Sequence, residues 1–139
     1  MSERKIFAQL PPGRRVWAVA SIHGEVARLA KLHALLWTKV APGDRLVYLG
    51  NVLGHGPDVA GTVDELLSFR RAFMAMAPDE RHHVAILRGS QEEMWHKLLQ
   101  LQFATDPRGV LNWMLDNGLA ATLTAYGSSA KDAVSQASS

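Results

Sequence analysis

Residues 45–58, Arg-Leu-Val-Tyr-Leu-Gly-Asn-Val-Leu-Gly-His-Gly-Pro-Asp, constrain the fold more than any other stretch. Leu46, Val47, Tyr48 and Leu49 form an apolar run, and the chain then breaks at Gly50 into a loop with three glycines and a proline. A short buried strand ending in a glycine-punctuated loop is how α/β proteins bring polar groups to the carboxyl edge of a sheet. The design occurs twice more. Val16-Trp17-Ala18-Val19-Ala20 leads into Ser21-Ile22-His23-Gly24, and Val84-Ala85-Ile86-Leu87 leads into Arg88-Gly89-Ser90-Gln91-Glu92.

The segments between these runs read as helices. Val26, Leu29, Leu32, Leu36 and Val40 recur at helical spacing, predicting a helix over 25–40 with Glu25 in its favourable first turn. Pro57-Asp58 opens a second helix with Val59, Val63, Leu66, Leu67, Phe73 and Met74 on its inner side, ending before Pro78. The strands are expected over about 15–20, 46–49 and 83–87. Beyond Gly89 the pattern predicts a helix over 92–103, a break at Asp106-Pro107 and a helix over 109–116 closed by Asn117-Gly118. Residues 120–126 fit either strand or helix. The order strand-helix-strand-helix-strand implies a parallel sheet with right-handed crossovers, an α/β fold. Residues 1–14 read as a flexible leader, 15–127 as the folded domain, and the small polar stretch 128–139 as a disordered or weakly helical tail.

With 139 residues, 47% apolar and 20% charged, the chain suits one soluble domain. A formal charge of +2 with scattered basic residues gives no nucleic-acid stripe. No apolar run approaches the ~18 residues that cross a bilayer. Cysteine is absent, which excludes disulfides and thiolate metal sites and is compatible with a reducing cytoplasm, the expected compartment.

The three strand-end loops resemble the signature of the calcineurin-like metallophosphoesterases, closest to the bacterial serine/threonine protein phosphatase and diadenosine tetraphosphatase branch. That family carries Gly-Asp-x-His-Gly, Gly-Asp-x-x-Asp-Arg-Gly-Pro-Asp-Ser and Gly-Asn-His-Glu. This chain reads Ala20-Ser21-Ile22-His23-Gly24, Gly50-Asn51-Val52-Leu53-Gly54-His55-Gly56-Pro57-Asp58-Val59 and Gly89-Ser90-Gln91-Glu92. Trp113, Asn117-Gly118, Thr122-Leu123 and Tyr126-Gly127 look like the helical insert of the bacterial members. The resemblance implies the β-α-β-α-β first half of an αββα sandwich, without the second half that supplies further histidine ligands.

It also implies which positions would carry chemistry. The first aspartate corresponds to Ser21, the metal-bridging aspartate to Asn51, the phosphate-binding arginine to His55, the asparagine ligand to Ser90 and the acid to Gln91; only His23 is retained. Two divalent cations held close together need anionic ligands, and a catalytic zinc usually has three protein ligands. Neutral Ser21, Asn51 and Ser90 do not supply them, and Gln91 cannot protonate a leaving group. The expectation is therefore a catalytically inactive relative with no cofactor, its residual alternative being a phosphoesterase for phosphoserine/phosphothreonine proteins or dinucleoside polyphosphates using two divalent metals (manganese, iron, zinc or nickel). A further alternative keeps phosphate or nucleotide binding without catalysis. A sheet face left uncovered implies a protein partner or homo-oligomer. His33 and His96 are expected at the surface, and Glu92 and Glu93 as dipole-favoured residues of a helix amino terminus. The four tryptophans are expected in packing roles.

Overall fold

Three short strands pair in parallel, β1 (Val16–Val19), β2 (Arg45–Tyr48) and β3 (Val84–Ile86), in the spatial order β1-β2-β3. The computed structural model describes residues 9–10, 12–76, 78 and 84–136. Trp17 aligns with Leu46 and Leu46 with Val84, so side chains of like parity share a face across the sheet. The crossovers are α1 (Val26–Trp37) and α2 (Val59–Ala75). Two crossovers of the same hand, stepping the same way along the sheet, put both helices on one side of it. The core agrees. Val19, Leu46 and Tyr48, flanked by Trp17 and Val84, pack against Leu29 and Leu36 of α1 and Leu66, Phe69 and Phe73 of α2.

The alternate residues face away from both helices. Val16, Ala18, Leu49, Ala85 and Leu87 are exposed and Val47 is half-buried, so among the described residues the far side of the sheet is an open, mostly apolar surface with Arg45 at one end. All-parallel sheets are almost always covered on both faces, which makes this the unusual feature of the fold.

The rest of the chain builds a second, helical core. Helix α3 (Ser90–Leu98) leads through a 3₁₀ turn (Leu101–Phe103) into α4 (Pro107–Met114), capped by the Asp106 side chain accepting from Gly109 N at 2.9 Å. A π-type turn (Leu115–Leu119) then joins α4 to α5 (Ala120–Ala125). Gly118 sits there at φ +116°, a left-handed position that favours glycine. Met94, Leu111, Met114, Leu119 and Leu123 form the buried cluster, and Ala133 and Val134 of α6 (Ala130–Gln136) pack against it.

The first helix stops at Trp37, well short of the expected Val40. The helix after Gly89 begins two residues early, at Ser90, and the 3₁₀ turn replaces its expected last turn. Leu32 and Leu67, assigned to inner faces, are 36% and 38% exposed. Trp113 is largely exposed at 59%, whereas Trp37, 47% exposed, still packs edge-on against Phe69 and Trp17 donates from Nε1 to Asp44 at 2.9 Å. The ambiguous segment 120–126 is helical. His33 is buried rather than at the surface. The start of the third strand at His83 and most of the leader lie outside the described residues.

His33 is buried because its ring is a strut between helices and sheet. It stacks on Phe69 with centroids 3.9 Å apart, and its two nitrogens lie 2.6 Å from Glu65 Oε1 and 2.9 Å from Tyr48 Oη. A carboxylate only accepts, so Nδ1 carries the proton, and in the neutral ring Nε2 accepts from the Tyr48 hydroxyl. Burial holds the His33 pKa below its ordinary value, outweighing the opposing pull of Glu65. It also pushes the Tyr48 hydroxyl well above the usual tyrosine range, with Glu65 adding to the effect.

Candidate functional site

The carboxyl edge of the sheet brings together all three glycine-rich loops. Asn51 is the centre. Its carbonyl accepts from Ile22 N (3.1 Å) and His23 N (2.8 Å), tying the second loop to the first. The third loop approaches from the other side so closely that a Cβ on Gly50, at φ +94°, would overlap the Gly89 backbone. Gly56 likewise abuts the His23 carbonyl.

The Asn51 side chain bonds to both neighbouring loops. Nδ2 donates to Ser21 Oγ (3.1 Å), while Oδ1 accepts from Ser90 Oγ (3.1 Å) and Gln91 N (3.0 Å). Three of the positions named from the sequence thus form one neutral hydrogen-bonded chain, Ser21–Asn51–Ser90, across three strand ends. Gln91 is not with them. It is buried, its Nε2 donates to Asn117 O at 2.8 Å, and its amide lies against Gly54 and Gly118, linking the rim to the second core. Thr122 Oγ1 adds a second link by accepting from Gly54 N at 3.0 Å.

His23 and His55 sit side by side with ring centroids 5.9 Å apart. His55 is exposed. His23 is half-buried at φ +53°, and its Nδ1 is buried without a hydrogen-bond partner. Asn51 also has a positive φ, +55°, so two non-glycine residues of the rim hold left-handed backbone, which is uncommon.

While Glu25, Asp58 and Glu93 lie at the borders of these loops, Glu92 is the carboxylate that ties them together. One oxygen accepts from Asn51 N (2.7 Å) and Gly89 N (2.8 Å), the other from Val52 N (2.8 Å) and Leu53 N (3.1 Å). Burial alone would raise its pKa, but the four backbone donors, from Leu53, Gly89, Asn51 and Val52, together hold it below the usual range. The sequence placed Glu92 in the first turn of its helix, where it does sit. What the sequence did not reveal is that its carboxylate clamps the Asn51 loop. The signal is a carboxylate three residues after Gly89 and a glycine-rich loop whose N–H groups need acceptors.

Chemically, the rim offers two imidazoles, two hydroxyls and one amide, with the carboxylate turned toward backbone. Ser21, Asn51 and Ser90 would bring no anionic oxygen to a cation, and among the described residues no three His, Asp or Glu side chains converge to hold a metal. This donor set does not fit a pair of divalent cations. Comparison with protein-family models, curated proteins and solved structures finds no match to this chain.

Proposed function

We propose that the protein is a non-catalytic relative of the calcineurin-like metallophosphoesterases, a pseudophosphatase that works as a binding or structural subunit. The observation that carries this reading is the Ser21–Asn51–Ser90 chain. Where the family pattern places metal ligands, this protein has neutral groups that satisfy one another. A hydrolase built on two metals needs charge at those positions, and an assembly module does not.

The binding half of the proposal rests on the far face of the sheet. Leu49 and Leu87, adjacent just past the ends of β2 and β3, are each 48% exposed, and Val16 at the other end of the same face is 42% exposed. A second polypeptide covering this face would complete a layered architecture. The proposed setting is the cytoplasm, in keeping with the lack of cysteine, and no described helix is long and apolar enough to cross a membrane.

A residual hydrolase is the alternative, and His23 with its unpartnered Nδ1 beside His55 is the feature that favours it. The two readings separate on p-nitrophenyl phosphate turnover with added manganese. Turnover that disappears in His23→Ala would replace the pseudophosphatase by an enzyme. No turnover in the wild type, together with retention of a partner that Leu49→Glu and Leu87→Glu both release, is the outcome expected of a binding subunit.

A further inference from the structure

The β1 side of the molecule is unfinished in two layers at once. Among the described residues β1 is an edge strand, and Val16-Trp17-Ala18-Val19-Ala20 contains no charge and no proline, the usual protections of an exposed edge. Arg15 O accepts from Arg45 N and Val19 O from Leu49 N, so in the alternation of a parallel ladder the N–H groups of Val16, Ala18 and Ala20 point outward. Above this edge runs the outer flank of α1. Its buried residues Leu29, His33 and Leu36 face the sheet, and His33 and Trp37 lean toward Phe69 of α2. The opposite flank carries Arg28, Leu32 and Leu35, with Glu25 at the cap just before α1 and Lys39 in the turn just after it. A cavity of about 210 Å³ between strand and helix is lined by Val19, Ile22, Leu29 and Leu32, with Glu25 and Arg28 at its side. Leu35, at 56% exposed, extends the same apolar strip.

We propose that a second copy of this chain occupies this side, pairing β1 with β1 antiparallel and α1 with α1 antiparallel about a two-fold axis. Charge complementarity selects the second copy, with Glu25 exchanging its long 3.8 Å contact to exposed Arg28 for one across the axis. Glu25 and Lys39 are equally far along the chain from Leu32, near the middle of α1. An axis there sets Glu25 of each copy against Lys39 of the other, with the Leu32 and Leu35 strips meeting between them. Lys39 lies in the turn that closes α1, where Lys39 N and Val40 N donate to Leu36 O at 2.8 and 2.9 Å. The dimer's sheet would have six strands, and the two open apolar faces would merge into one platform. This inference does not depend on the loss of catalysis and stands if the rim turns over substrate.

A 12-residue helix gives a seam only ~18 Å long, so association is expected in the range of roughly 1–100 µM rather than nanomolar. Sedimentation equilibrium of the full chain across that range tests it. The expected result is a monomer–dimer equilibrium, weakened at least about tenfold by Leu35→Asp, a change of ~1.4 kcal/mol or more. Ala18→Pro removes an outward N–H without touching the internal ladder and should have the same effect. Lys39→Glu should weaken the dimer, and adding Glu25→Lys should restore it, which a folding defect would not do. A monomer throughout, a dimer indifferent to both Leu35→Asp and Ala18→Pro, or a charge swap without rescue would overturn the proposal. So would a dimer abolished only by Leu49→Glu on the open face.

Discussion

Asn51 N donates to Glu92 Oε2 at 2.7 Å, and Asn51 Oδ1 accepts from the amide one residue before Glu92, at 3.0 Å. These bonds join the end of β2 to the start of α3 from both directions and hold Asn51 at a positive φ. The rim is thus a rigid junction whether or not it performs chemistry.

Removing the charge at Glu92 should loosen that junction. Hydrogen bonds to a charged group contribute about 1.5–3 kcal/mol, so Glu92→Gln is expected to cost about 2 kcal/mol in urea unfolding. The folded pKa of Glu92 is depressed, so its contribution is complete above the unfolded value of about 4.3 and is lost as pH falls through the folded one. Stability below pH ~4 should therefore decline less steeply in the variant than in the wild type.

His33 should impose a second pH dependence of the same sign. Its folded pKa lies below the unfolded value of about 6.5, so the unfolded chain binds the proton first. Stability is expected to be flat above pH ~6.5 and to fall as pH drops from there through the folded pKa. His33→Gln should flatten this window while lowering stability overall. Imidazole NMR titration of His33 checks the direction, since an upward-shifted pKa would reverse the prediction.

Gly50→Ala should be among the most damaging substitutions. Any Cβ there meets the Gly89 backbone, and φ +94° is unfavourable for alanine, so a loss above about 3 kcal/mol is expected in thermal or urea melts. Gly13→Ala offers a control, since its φ of +77° is also positive but nothing lies within 4 Å of a Cβ.

The open apolar face can be altered without harm to the fold. Leu49→Glu and Leu87→Glu remove exposed side chains, so the unfolding free energy of the isolated chain should change by no more than about 0.5 kcal/mol for each. Binding of 8-anilinonaphthalene-1-sulfonate by the wild type should be reduced in both.

The β-α-β-α-β order was readable from residues such as Leu46, Tyr48 and Leu66, because two buried strands and an amphipathic helix each impose a period. Helix ends were less readable. Trp37 rather than Val40 ends α1 because the turn at Thr38 closes on Leu35 O, a local geometry the hydrophobic spacing does not encode. His33 was misplaced because its burial depends on Glu65 and Tyr48, which are distant in sequence but adjacent across the α1–α2–β2 layers. Of the site, the positions were legible and the bonding was not. No single motif reveals that Ser21, Asn51 and Ser90 complete one another, or that Gln91 turns away to the Asn117 carbonyl.

Introducing charge at the rim gives a positive control for the functional reading. The triple variant Ser21→Asp, Asn51→Asp and Ser90→Asn should gain a manganese-dependent rise in melting temperature, because a ligand bound only by the folded state stabilises it. The wild type should show none.

The most direct test is elemental analysis of the wild-type protein, purified with manganese, iron, zinc and nickel present, alongside anomalous diffraction at the rim. Substoichiometric metal and no ordered ion beside His23 are the expected result. Two ions per chain coordinated by Ser21, His23 and Asn51 would contradict it.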